Sequence, residues 1–168
     1  KTAKKIGAVN CVTISKKKKL KGYNTDYHGF KKSIKPLLKD HHKKALILGT
    51  GGASKAIAYA LRSLKIEYDF VSRTADEFQY KYEELDASIF EEYTIIINTT
   101  PVGTHPNVDD CPNLDYSLFT KKHIAYDLIY NPEETAFLRK TKAQGAVTKN
   151  GYEMLVLQAE KAWKIWNE

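Results

Sequence analysis

Short apolar runs alternate with longer segments in which apolar residues recur every three or four positions. Residues Ala8 to Ile14 alternate and are rich in Val and Thr, predicting a strand. A polar turn, Ser15 to Lys19, separates them from a second short strand, Leu20 to Asn24, so the two form a hairpin. Asp26 then stands at the N-cap or in the first turn of a helix carrying Phe30, Ile34, Leu37 and Leu38 at helical spacing, with Pro36 close to its end. A polar break, Lys39 to Lys44, follows. Beyond it, Ala45 to Leu48 is continuously apolar, as for a strand buried on both faces. The spacing next predicts a helix over Ala53 to Leu64, a strand over Tyr68 to Ser72 and a weaker helix over Tyr80 to Phe90. Further strands are predicted over Thr94 to Asn98 and Ile124 to Leu128, then a helix over Glu133 to Gln144 stopped near Gly145. A last short strand, Ala146 to Thr148, precedes an amphipathic helix, Tyr152 to Trp166, with Leu155, Ala159, Ala162 and Trp166 near one face. Strands alternating with helices imply parallel βαβ units, hence an α/β fold with a doubly wound parallel sheet.

Composition narrows the classes. With 168 residues, 42% hydrophobic, the chain can bury one sizeable core. It contains no run of about 18 apolar residues to span a membrane and no signal-peptide pattern, so the default expectation is cytoplasmic. Cys11 and Cys111 are far apart and lack the partners of a zinc site or a disulfide framework. The net charge of +7 comes mainly from Lys1 to Lys44, including the run Lys16 to Lys19, which reads as a solvated turn. Without an aromatic-interleaved basic motif, nucleic acid is not the expected partner. His28, His41, His42, His105 and His123 form no cluster along the chain and receive no role.

Candidate chemistry centres on Gly49-Thr50-Gly51-Gly52-Ala53-Ser54, which follows a strand and opens a helix, the context a dinucleotide fingerprint requires. Gly49 permits the turn, Gly51 lets backbone approach a pyrophosphate, and the helix N-terminus offers free amides. Enzymes selective for NAD place an acidic residue at the end of the next strand. Here that strand ends in Ser72-Arg73-Thr74, whose cationic fork suits a 2′-phosphate and points to NADP. Asp76 and Glu77 lie close by in sequence and would oppose a phosphate.

Six separated segments resemble, in order, those of shikimate dehydrogenases. Ile6 to Asn10 is similar to "IGAVNT", and Gly22 to Asp26 with Gly29-Phe30 to "G-x-NTD-x-x-GF". Gly49 to Ala53 resembles "GAGGA", and Asn98 to Gly103 "NTTPxG". Asp127 to Pro132 resembles "D-x-x-YNP", and Gly151 to Ala159 "G-x-x-ML-x-x-QA". The resemblance implies reversible NADP-dependent oxidation of shikimate to 3-dehydroshikimate, on a Rossmann-like domain (residues 39–150) preceded by the tail of a substrate domain (1–38) and followed by a closing helix (151–168). It further implies that Asn10 bonds a substrate hydroxyl, that Asp26 holds the reacting hydroxyl and shares proton transfer with a lysine, and that Tyr130 and Gln158 reach the substrate across the cleft. Gly49, Thr50, Gly51, Gly52 and Ala53 would hold the pyrophosphate, and Ser72, Arg73 and Thr74 the adenosine end. Thr99 and Thr100 would line the cofactor's path, with Leu128 and Gly151 near the nicotinamide. The full-length enzyme would be a candidate homodimer.

The family's lysine lies in a "VTxPxK" segment upstream of the first match, and Lys1, Lys4 and Lys5 do not occupy it, so the chain alone is expected to oxidise shikimate negligibly. Cys11, Ser72, Glu77 and Thr104 depart from the family's usual residues. Simpler readings stay open: Asp26 as a helix cap, Asn10 as a strand-end bond, Gln158 as a polar residue on a helix surface, Arg73 as an exposed charge, Tyr130 as packing. So do a quinate-type or other two-domain NAD(P) dehydrogenase, and a non-catalytic dinucleotide-binding module.

Overall fold

In the computed structural model, which describes residues 2–74, 76–77 and 79–168, the strand Lys44–Leu48 (β3) shows why its sequence is apolar at every position after the first. Ala45 and Ile47 pack to one side and Leu46 and Leu48 to the other, all fully buried. A strand with water on neither face cannot alternate in polarity. Lys1, the first residue of the predicted substrate-domain tail, lies outside the described residues.

The chain opens with a short helix, α1 (Thr2–Ile6), then an antiparallel hairpin of β1 (Cys11–Ile14) and β2 (Leu20–Tyr23), with Cys11 opposite Tyr23 and Ile14 opposite Leu20. The helix α2 (Asp26–Ile34) and a 3-10 turn over Lys35–Leu37 lead into β3. There follow α3 (Gly52–Ser63), β4 (Glu67–Val71), β5 (Gln79–Tyr80), α4 (Ala87–Glu92), β6 (Ile95–Asn98), β7 (Ile124–Asp127), α5 (Ala136–Ala143), β8 (Val147–Lys149) and α6 (Tyr152–Trp166). Strands β3 to β8 form one parallel sheet in the order β5-β4-β3-β6-β7-β8. This is the doubly wound arrangement, with its reversal of direction between β3 and β6.

One face of the sheet is covered by Phe30 and Ile34 of α2, Ile57, Ala60 and Leu61 of α3, and Met154 of α6. The other is covered by Phe90 of α4, Phe137 and Leu138 of α5, and Phe119. Helix α2 is riveted to β7 twice: the Phe30 and Tyr126 rings meet edge to face at 4.9 Å, and Ser33 Oγ lies 2.6 Å from the Tyr126 hydroxyl. Burial leaves the Tyr126 phenol far harder to ionise than usual, against the opposing pull of the Ser33 bond. Among the described residues no helix is long and apolar enough to cross a membrane.

Five expectations need correction. The predicted helix over Tyr80 to Phe90 is instead strand β5, a 3-10 turn over Tyr82–Glu84 and α4. Its apolar spacing suited a helix, but pairing of Phe70 with Gln79 and Val71 with Tyr80 draws its start into the sheet. The strand expected from Ala8 starts at Cys11, and the helix expected from Glu133 starts at Ala136, where the Thr135 side chain accepts a bond from Leu138 N. The buried side of α6 carries Met154, Ala162 and Ile165, while Ala159 and Trp166 are exposed. Three of the histidines do gather: the His41 and His42 rings lie 4.0 Å apart at a tilt of 46°, and both place Nε2 3.0 Å from the Lys122 carbonyl, next to His123. This brace joins the loops that precede β3 and β7. Burial pushes the His42 and His123 pKa values down, as suits neutral brace residues.

Candidate functional site

Where the connections leaving β3 and β6 run in opposite directions, their loops separate and open a cleft beyond the strands' C-terminal ends. Its volume is about 880 Å³. Three strand ends form its floor: Gly49, Thr50 and Gly51 after β3, Ser72, Arg73 and Thr74 after β4, and Thr99 and Thr100 after β6.

The floor is shaped by backbone geometry. Gly49 has φ +97°, and a Cβ there would lie 2.9 Å from Thr100 Cγ2 and 3.1 Å from Thr99 Oγ1, so a side chain is excluded twice over. Its amide donates to the Val71 carbonyl at 2.8 Å, tying the turn to β4. A Cβ on Gly51 or Gly52, by contrast, would meet nothing within 4 Å. Packing within the chain does not require those two glycines; the open space they leave lies at the mouth of α3, where the first-turn amides have no helical partners. Ser54, at the third small position of the fingerprint, is buried and donates its hydroxyl to Gly51 O at 2.6 Å. Gly52 and Ala53 occupy the first turn of α3 and do not line the cleft.

Thr99 and Thr100 are held from below. Thr99 Oγ1 donates to Leu48 O at 2.6 Å, and Thr100 donates through both its amide and its hydroxyl to Asn98 Oδ1, at 3.0 and 2.7 Å. Asn98 Nδ2 donates in turn to Asp127 Oδ1 at 3.1 Å, while Thr135 Oγ1 and Ile129 N donate to the same carboxylate at 2.6 and 3.1 Å. Asp127 is wholly buried, and burial raises its pKa to about 6 against the pull of those three donors. This network joins the tips of β6 and β7. Sequence reasoning gave Asn98 and Asp127 no role, although each sits inside a quoted motif.

A second cluster forms where the hairpin meets α2 and α6. Asn10 Nδ2 donates to Asp26 Oδ1 at 2.8 Å and to Thr25 Oγ1 at 3.1 Å, and Thr25 N donates back to Asn10 Oδ1 at 2.8 Å. The Thr25 hydroxyl donates to Gln158 Oε1 on α6 at 3.1 Å. Thr25 is the N-cap residue of α2 and Asp26 its first helical residue, so the Asp26 carboxylate does not cap the helix. Desolvation raises the Asp26 pKa and the Asn10 bond partly opposes it. Buried Thr25, the hub between Asn10 and Gln158, is the member that sequence reasoning missed.

The remaining candidates are Leu128, Gly151 and Tyr130. Gly151 N donates to Ile129 O at 3.0 Å, and a Cβ on Gly151 would fall 1.9 Å from Leu128 O, so Leu128 and Gly151 meet through backbone. Tyr130 is 48% exposed, and no hydrogen bond among the described residues ties it to the Asn10 cluster. Further cleft walls unassigned from sequence are Val102, Pro112, Tyr82 and Glu83, with Cys111, whose sulfur accepts from Lys140 Nζ at 3.1 Å. Asp76 and Glu77 do not line the cleft, and Asp76 accepts from Gln79 Nε2 at 2.9 Å.

No family model matches the chain. A "Shikimate dehydrogenase (NADP(+))" of Caldanaerobacter subterraneus subsp. tengcongensis is 41% identical over 98% of this chain and 64% of the relative. The crystal structure of shikimate dehydrogenase from Aquifex aeolicus superposes with a TM-score of 0.84 at 38% identity, covering 99% of this chain and 64% of that one. Shikimate 5-dehydrogenase from Thermus thermophilus, solved in complex with NADP(H) and shikimate, superposes with a TM-score of 0.82 at 35% identity, covering 98% and 64%. The chain thus spans about 64% of the length of the curated relatives it matches.

Proposed function

We propose, on the premise that the chain corresponds to the C-terminal part of shikimate dehydrogenases, that it binds NADP in the cleft beyond β3, β4 and β6 and supplies half of an active site that interconverts shikimate and 3-dehydroshikimate. The observation that carries the reading is the bonding of Asp26 to Asn10 and, through Thr25, to Gln158: residues from three separate motifs meet at one point.

The cleft suits the cofactor. The space left by Gly51 and Gly52 admits a pyrophosphate against the amides of α3, and Arg73, on the exposed end of β4, is placed for a 2′-phosphate. When bound, the nicotinamide supplies the hydride acceptor. The chain's own residues then orient and deprotonate the alcohol. Asp26 accepts the hydrogen bond of the reacting hydroxyl while Asn10 fixes the carboxylate's direction, and Gln158 donates from α6 through the amide left free by its bond from Thr25. The raised Asp26 pKa makes the carboxylate a stronger base, and a lysine from the part of the relatives that this chain does not span would share the proton. Residues 2–38 and α6 form the substrate side of the proposal, and 39–150 the nucleotide side. A cytoplasmic address and a homodimer of the full-length enzyme complete it.

Titration of the chain with NADPH and NADH at fixed salt, followed by nicotinamide fluorescence, tests the cofactor assignment. NADPH is expected to bind more tightly, and Arg73→Ala should weaken NADPH by roughly ten-fold, a charged hydrogen bond's worth, while sparing NADH. Equal loss for both would refute the Arg73 role. In the full-length enzyme, Asp26→Asn should lower kcat far more than cofactor affinity; an unchanged kcat would remove Asp26 from the chemistry.

A further inference from the structure

The cleft carries charges of both signs. Arg73 lines it from the end of β4, and Glu83 lines it from the 3-10 turn over Tyr82–Glu84. Both side chains are exposed, and neither makes an ion pair or a hydrogen bond among the described residues. The other carboxylates of this stretch are engaged elsewhere or face away. Asp76 holds Gln79, Glu84 accepts from Lys81 N at 2.6 Å, and Asp86 accepts from Ile89 N at 3.0 Å and Ser88 Oγ at 2.6 Å. Glu77 is exposed outside the cleft. Glu83 is therefore, among the described residues, the carboxylate that lines the same cleft as Arg73.

The geometry points to Glu83 as the residue that sets how strongly this cleft discriminates between a dinucleotide with a ribose 2′-phosphate and one with a free 2′-hydroxyl; the inference rests on the nucleotide-site reading above. The two ligands differ by a group carrying a charge of about −1.5 to −2 at neutral pH. Arg73 attracts that group and Glu83 repels it. With a 2′-hydroxyl in its place, the repulsion vanishes and the carboxylate becomes a hydrogen-bond acceptor, the part an acidic residue plays in NAD-selective folds. Arg73 alone would make a pocket selective for the phosphate. Arg73 with Glu83 makes one that tolerates both, with the ratio set by their opposition.

The test uses the 168-residue chain, titrated with NADPH and NADH at low and high salt as wild type, Glu83→Gln and Glu77→Gln. Glu83→Gln should raise the ratio of the NADH Kd to the NADPH Kd by roughly three- to ten-fold, the scale of a unit charge acting on a phosphate across a solvated pocket. The gain should shrink at high salt, because the pair is exposed. Glu77→Gln should leave the ratio where it is. An unchanged ratio in Glu83→Gln, equal shifts for both dinucleotides, or an equal response from Glu77→Gln would overturn the inference while leaving the nucleotide site intact. Binding of neither dinucleotide by the wild type would overturn the site itself.

Discussion

Asp127 illustrates how a single buried carboxylate can give stability an acid-side signature. Its unfolded value is the ordinary one near 4, and burial raises the folded value to about 6. Between those values the folded protein holds a proton that the unfolded chain has lost, so the contribution of Asp127 to stability falls as pH rises from about 4 to 6 and is then constant. Urea unfolding at pH 4 and pH 7 should show Asp127→Asn losing less than wild type over that interval, by up to roughly 3 kcal/mol. At pH 7 the variant should still be less stable by about 1–3 kcal/mol, because its amide cannot accept all three bonds from Asn98, Ile129 and Thr135. A second expectation concerns Asn10. Removing its bond in Asn10→Ala should move the Asp26 pKa further up in a carboxyl NMR titration, and no movement would mean that desolvation alone sets it. The chemistry of these residues was legible in sequence only as types at motif positions. That Asp26 bonds Asn10 rather than capping its helix depends on the hairpin's closure, and no local spacing carries that information.

The crossing of α2 and α6 turns on Gly29. A Cβ there would lie 2.5 Å from Met154 O and 3.2 Å from Gln158 Cβ, and the obstacle is backbone rather than a flexible side-chain end. On an open helix Gly→Ala gains about 1 kcal/mol. Here Gly29→Ala should instead cost about 1–3 kcal/mol in urea unfolding, because the helices must part. The Thr25–Gln158 bond should weaken with it. A stabilised variant would show that the crossing is loose. Most elements were readable because burial on one or both faces imposes a period on the sequence. Where the readings failed, long-range contact decided: β5 exists by pairing with β4, and the side of α6 that is buried is chosen by α2 and the hairpin rather than by the helix's own apolar pattern. Its two tryptophans illustrate this. Trp163 and Trp166 are exposed, and Trp166 Nε1 reaches Val12 O at 3.0 Å.

For the molecule as a whole, the doubly wound parallel sheet and the glycine turn after β3 followed from the strand–turn–helix grammar around Gly49, whereas the strand order came only with the fold. What lay beyond the sequence was the joining of distant loops, as in the His41–His42 brace and the Asn98–Asp127 network. The chain alone should bind dinucleotide yet turn over shikimate negligibly, with NADPH formation followed by its absorbance as the check; robust turnover would show that Asp26 needs no lysine from outside. One consequence of α6 concerns timing. The helix lies far along the chain from Thr25, yet its Gln158 is the partner that completes the Asn10–Thr25–Asp26 cluster. During synthesis neither the core on that face of the sheet, which takes Met154 from α6, nor the substrate-side cluster is complete until α6 leaves the ribosome. A chain terminated before α6 should lack both, so emergence of that helix closes the core and the cluster together.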